Sequence, residues 1–182
     1  MTGWRSSAVA GLIAVAALGC GYRPLNASAP DPEAPFTVIG SLPETPSSAT
    51  AAAAEAGARS ELARAGVLAT ASQASAGSSA IEIELLRVEE EGAGIAIDPA
   101  SGAPLARGLR VTVTGRAKLW AAGGRSILRE TGDVRSSLVV SRGQGDAAAV
   151  SAAVKDAARL AGRRLGERLA RRILGLPDPA VE

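Results

Sequence analysis

Residues 109–119 read LRVTVTGRAKL, a strict alternation that fits an extended chain with one face buried and one face wet. Leu109, Val111, Val113, Ala117 and Leu119 share one face, and Arg110, Thr112, Thr114, Arg116 and Lys118 share the other. Ala121-Ala122-Gly123-Gly124-Arg125-Ser126 follows, then a second run over Leu128–Val140 in which Leu128, Val134, Leu138 and Val140 are in phase. This predicts an antiparallel hairpin turning at Gly123-Gly124, where positive φ costs little. Pairing residues whose numbers sum to about 247 sets Leu119 against Leu128, Val113 against Val134 and Leu109 against Leu138. A slip by one residue would send every partner to the wrong face.

The remaining elements follow from similar patterns. Phe36-Thr37-Val38-Ile39 is β-prone and ends at Gly40. Ser47–Ala65 is alanine-rich, with Pro46 and Ser47 as a start signal and Gly66 as a stop, and predicts a helix with a weak apolar face. Residues 70–79 read as a polar loop. Ile81-Glu82-Ile83-Glu84-Leu85 alternates, whereas Leu86 and Val88 break the phase, which calls for a bulge or a second buried face. Ile95-Ala96-Ile97 continues that strand or starts another, and residues 98–108 form a Gly/Pro loop. From Asp146 to Leu174 the stripe Val150, Val154, Ala157, Ala161, Leu165, Leu169, Ile173 predicts a long amphipathic helix, capped by Asp146 and closed by Gly175 and Pro177. The order β-α-β-β-β-α predicts an α+β two-layer sandwich: a mainly antiparallel sheet of about four strands, with two helices on one face. The expected division is a single domain over residues 36–176 with a short tail at 177–182.

Composition narrows the chemistry. The chain has no histidine, which removes the usual general base, the commonest zinc ligand and the Ser/Cys–His nucleophile pairs. No spacing of carboxylates, or of serine with lysine, replaces them, so no catalytic or metal-binding role is expected. Cys20 is the sole cysteine, leaving no internal disulfide. The net charge of +2 includes Arg5, so basic character must be local, and no nucleic-acid partner is expected.

The N-terminus has its own pattern. Arg5 precedes an apolar run over residues 8–18 that ends in Ala17-Leu18-Gly19-Cys20. The run is too short to span a bilayer and reads as a secretory signal over residues 1–19. Its end resembles a bacterial lipobox, which implies a thioether-linked diacylglycerol and an N-acyl chain such as palmitate on Cys20, with no other cofactor. Residues 20–35, including NASAPDPEAP, form a Pro/Ala-rich tether. Gly21 after the cysteine, in place of aspartate, fits sorting to the outer membrane of a Gram-negative cell.

Cys20 followed by Gly21-Tyr22-Arg23-Pro24-Leu25, then β, α, an alternating hairpin and a terminal arginine-rich helix ending Arg171-Arg172-Ile173-Leu174, resembles the LptE-type lipopolysaccharide-assembly lipoproteins. The Ala/Pro-rich tether and the Ala-rich first helix depart from that pattern. The resemblance implies a lipid-anchored, periplasm-facing subunit that plugs an LptD-like β-barrel and contacts lipopolysaccharide. An auxiliary lipoprotein of a lipid-transporting ABC system is the alternative. Contact with lipid phosphates calls for outward cations, for which Arg107, Arg110 and Arg142 at the open end of the hairpin, and Arg116 and Lys118 on its outward face, are the candidates. The 247 register sets Lys118 opposite Arg129 and Thr112 opposite Arg135. The outward face can equally be neutralised from within by Asp133, Glu82 and Glu84. Trp120, Arg164 and Arg168 are candidate contacts to a partner protein.

Overall fold

A computed structural model describes residues 35–40, 47–75, 77–97, 101–102, 104–141 and 147–178, with backbone alone at 75, 95–97 and 104–107. Strand β1 (Phe36–Gly40) leads to helix α1 (Ser48–Arg64), a short helix α2 (Ala71–Ser75), and the long strands β2 (Ser79–Ile97) and β3 (Pro104–Trp120). Strands β4 (Ile127–Glu130) and β5 (Val134–Ser141) precede the terminal helix α3 (Ala147–Leu174). The five-stranded sheet runs β1-β2-β3, with β4 and β5 each pairing a different stretch of β3, so it is four strands wide. Only β1–β2 is parallel. This is the α+β two-layer arrangement that the periodicities predict.

β2 spans both segments separated in the sequence reading, and the phase break is a bulge between Leu85 and Arg87. The extra residue, Leu86, resets the parity. Ile81, Ile83 and Leu85 before it, and Val88 after it, all face the helices. Residues 98–108 are less loop than expected, since β3 begins at Pro104 opposite Ile97.

The β3–β4 turn forms as expected, with positive φ at Gly123 and Gly124 and Ala121 N–H donating to the Ser126 carbonyl at 2.9 Å. The register beyond it does not follow the 247 rule. Trp120 pairs with Ile127 as that rule requires, but Leu119 pairs with Arg129, Val113 with Ser136 and Leu109 with Val140. Two irregularities account for the change. One shift falls between Leu119 and Trp120. The second is the break at Thr131-Gly132-Asp133, where Gly132 takes φ +67 and Ala117 N–H donates to Thr131 Oγ1 at 2.9 Å. On β5 the two together make a slide of two residues, which preserves each side chain's face and escapes hydrophobic patterning. On β4 the single shift turns the strand over, so that Leu128, expected inward, is 60% exposed and Arg129 takes the helix side.

Residues 70–79 contain α2. Thr70 Oγ1 accepts the Gln73 N–H at 3.4 Å while Gln73 Oε1 accepts the Thr70 N–H at 2.9 Å, a reciprocal capping box.

The core lies between the sheet and the two long helices. Phe36, Leu62, Ile81, Leu119, Leu165, Leu169 and Ile173 are fully enclosed. All of the stripe expected on α3 is buried except half-buried Val150. A second row, Ala158, Gly162, Gly166 and Ala170, is buried as well, and its two glycines meet α1. A Cβ on Gly162 would come within 2.7 Å of the Thr50 carbonyl oxygen, one on Gly166 would overlap the Ala54 carbonyl, and one on Gly57 the Arg163 carbonyl. The helices therefore run side by side in the same direction with their backbones in contact. Such packing needs small residues instead of a strong apolar stripe, so the weak apolar face of α1 is no sign of weak packing.

Candidate functional site: the open face of the sheet

Both helices cover one face of the sheet, and the opposite face is bare of secondary structure among the described residues. Strand parity and register place its side chains in rows: Glu82–Lys118–Glu130, Glu84–Arg116, Arg87–Thr114–Arg135, Glu89–Thr112–Ser137 and Glu91–Arg110–Val139. An acidic column on β2 thus runs beside a basic column on β3. Val139 is 60% exposed at the edge of this face.

Arg116 and Lys118 are committed internally. Arg116 grips Glu84 with Nε and Nη2 at 2.8 and 3.1 Å, and Lys118 Nζ adds a third contact at 3.4 Å. The Arg116 hydrogen bonds, and after partial opposition from desolvation the charges of Arg116 and Lys118, hold the Glu84 carboxyl below its ordinary range. The same hydrogen bond raises Arg116. A carboxyl depressed in the folded state stabilises it above the unfolded-state pKa and loses that contribution as pH falls through the folded value. We therefore expect Glu84→Gln to leave a shallower loss of stability between neutral pH and about pH 3. Denaturant melts at both pH values check this, and an unchanged acid limb would refute it.

In place of the 247-register neighbours, Lys118 faces Glu130 and not Arg129, and Arg135 faces Thr114 and not Thr112. Arg129 lies on the helix side, where its Nη1 donates to the Ile173 carbonyl at 2.8 Å. Arg110 is exposed and has no ion pair among the described residues. Val140 pairs with Leu109, so the expected placement of Arg107 beside Val140 is corrected. The Arg107 backbone is in β3, but its side chain, all of Arg142, Cys20 and Asp146 lie outside the described residues. Trp120 is half-buried on the open face, and its Nε1 donates to Glu82 Oε2 at 2.8 Å.

The arginines of α3 divide into two groups. Arg164 is exposed with no ion pair among the described residues. Arg168 Nη1 donates to the Arg135 carbonyl at 3.0 Å and ties α3 to β5. Arg171 bonds Glu61 of α1 at 2.8 Å and, through Nε, the Pro177 carbonyl at 2.8 Å. Arg172 pairs with Asp178 at 2.7 Å and holds that carboxyl below its ordinary range. Since α1 and α3 are parallel, the negative ends of both dipoles lie together with buried Glu61. Arg64, Arg129, Arg171 and Arg172 balance them.

Sequence patterning passes over Arg87. Strict alternation from Ile81 assigns it to the helix face, and only the bulge at Leu86 turns it outward, beside Thr114. The phase break is the one signal that could have found it.

No family model matches the chain, and no curated protein matches it. Among solved structures, the domain resembles a lipoprotein of Caulobacter crescentus (11% identity, TM-score 0.47, covering 77% of this chain and 88% of that one). It also resembles a minor lipoprotein of Acinetobacter baumannii (11%, 0.49, 82% and 98%). A third is the PelC dodecamer of Paraburkholderia phytofirmans (15%, 0.43, 80% and 93%). The likeness is one of backbone outline at very low identity.

Proposed function

We propose that this chain is a lipid-anchored, non-enzymatic subunit of an outer-membrane lipopolysaccharide translocon. It is acylated at Cys20, faces the periplasm, helps assemble and plug an LptD-like β-barrel, and contacts lipopolysaccharide. The observation that carries the reading is the lipobox followed at once by Gly21-Tyr22-Arg23-Pro24-Leu25, ahead of a β-α-β-β-β-α domain. Two or more acyl chains suffice for stable anchoring without a membrane span. The lack of histidine and of an alternative nucleophile pair supports a binding role.

The distribution of charge favours some contacts over others. Arg116 and Lys118 already share Glu84, so contact with an anionic lipid falls to cations with weaker commitments, Arg110 among them. Arg107 and Arg142 stay in the proposal on sequence alone. Arg164 and Trp120 remain candidates for a protein partner, and Arg168 would act by holding β5 on α3.

The test is an affinity pull-down from detergent-solubilised outer membranes, with partners identified by mass spectrometry. A large β-barrel in near-equal amount is expected, together with palmitate labelling that Cys20→Ser abolishes. Recovery of transporter ATPase components in place of a barrel would overturn the reading in favour of the ABC-linked alternative.

A further inference from the structure

Thr114 is anomalous on the open face. It points away from the helices, yet it is 1% exposed, and its Oγ1 is buried without a hydrogen-bond partner. A buried hydroxyl with no partner carries a desolvation cost that native structures rarely leave unmet. Its cross-strand neighbours on that face are Arg87 on β2 and Arg135 on β5. The long stems of such neighbours, with those of Arg116 and Thr112 along the strand, are what can exclude water from it.

Neither flanking guanidinium is firmly occupied. Arg87 meets Glu89 at 3.4 Å, with both side chains largely exposed, and such a pair contributes little and exchanges readily. Arg135 has no side-chain ion pair among the described residues, and its carbonyl oxygen alone is used, by Arg168. The carboxylates nearest in sequence and register are Glu89, Asp133 and Glu84, the last already held by Arg116 and Lys118. A row of cation, hydroxyl donor, cation across three strands thus lacks an acceptor at its centre.

We infer that Arg87, Thr114 and Arg135 form an oxyanion site that takes a phosphate group. Arg87 and Arg135 stand two strand spacings apart, roughly 10 Å between Cα atoms, so both guanidinium groups can swing over a group centred on Thr114. A tetrahedral phosphate has enough oxygens to accept from both arginines and from Thr114 Oγ1–H at once. A carboxylate can also accept three such bonds, as Glu84 does, but it brings one negative charge to two guanidinium groups where a phosphate brings up to about two. The phosphate can belong to a lipid headgroup or be free in solution. The first source rests on the translocon reading above, while the site itself rests on the row.

The experiment is calorimetric titration of the full chain in detergent with inorganic phosphate. Flotation follows, with phosphatidylcholine vesicles doped with phosphatidic acid and with phosphatidylcholine alone. Thr114→Val keeps the shape and removes the unpaired hydroxyl, so it should melt no lower than wild type while binding falls about fivefold. Arg135→Gln should weaken binding about tenfold. Variant-sensitive binding of inorganic phosphate supports the site with a soluble ligand. Variant-sensitive binding of the doped vesicles alone supports it with a headgroup. No binding of either probe, or binding unmoved by both variants, overturns it. None of these readouts involves the barrel, so failure of the pull-down and failure of this site are separable.

Discussion

Gly166→Val is expected to destabilise the domain by about 3 kcal/mol, the upper part of the range for inserting bulk into a packed interior. A side chain at this position would run into the Ala54 carbonyl carbon and oxygen, which belong to helix backbone and cannot rotate away. The same holds on both sides of the seam, because Gly162 abuts Thr50 and Gly57 abuts Arg163. Replacing a helical glycine ordinarily stabilises a helix by about 0.5–1 kcal/mol, and the clash must first overcome that gain. Separating α1 from α3 would also loosen both from the sheet, since Leu165 and Leu62 belong to one core cluster. For a domain of this size the loss corresponds to a melting point lower by roughly 10 °C. Thermal unfolding followed by circular dichroism gives the answer. A variant that melts at or above wild type would mean that the helices do not touch along this line.

Arg171→Met is expected to cost about 3 kcal/mol by stranding a buried carboxylate. Glu61 is 2% exposed between the two helices, and Arg171 supplies the contact from α3 to one of its oxygens. Arg64, on the same helix as Glu61, pairs with the other oxygen but is itself largely exposed. Once Arg171 is gone, the charge stays in its enclosed site beside the negative ends of two helices. The double variant Glu61→Leu/Arg171→Met removes both charges and should recover most of the loss. A coupling energy of at least about 1.5 kcal/mol in the resulting cycle is the expected signature. Additive losses would show that Arg171 acts through its bond to the Pro177 carbonyl instead.

Several elements were legible because their periodicity was strong. The alternation at Leu109–Leu119 and the stripe from Val154 to Ile173 each give one buried face whatever lies opposite, and both appear as read. The capping box Thr70-Ala71-Ser72-Gln73 escapes such a reading, because its polar composition makes residues 70–79 look like a loop and hides the helix α2. The seam between α1 and α3 was not legible. Glycine and alanine carry almost no hydrophobic signal, so close backbone contact leaves little mark on a moment. The candidate site was harder still, because it depends on which residue faces which. Arg116 and Lys118 read as free cations until Glu84 is seen opposite them. Arg87 reads as inward until the bulge at Leu86 turns it out.

The amino-acid sequence by itself determined the long elements, their order and the face most of them bury, because these follow from short-range patterns of apolar residues; α2 and the face of β4 are the exceptions. The lack of histidine is likewise read directly from the sequence. The tertiary structure alone decided the slide of two residues along β5, since a slip by an even number leaves every face unchanged. It alone brought Arg87 and Arg135 to either side of Thr114, and it alone assigned the terminal arginines to Glu61, Asp178 and the end of α3. Charge pairing depends on distances between strands and helices far apart in the chain, and no local pattern encodes them.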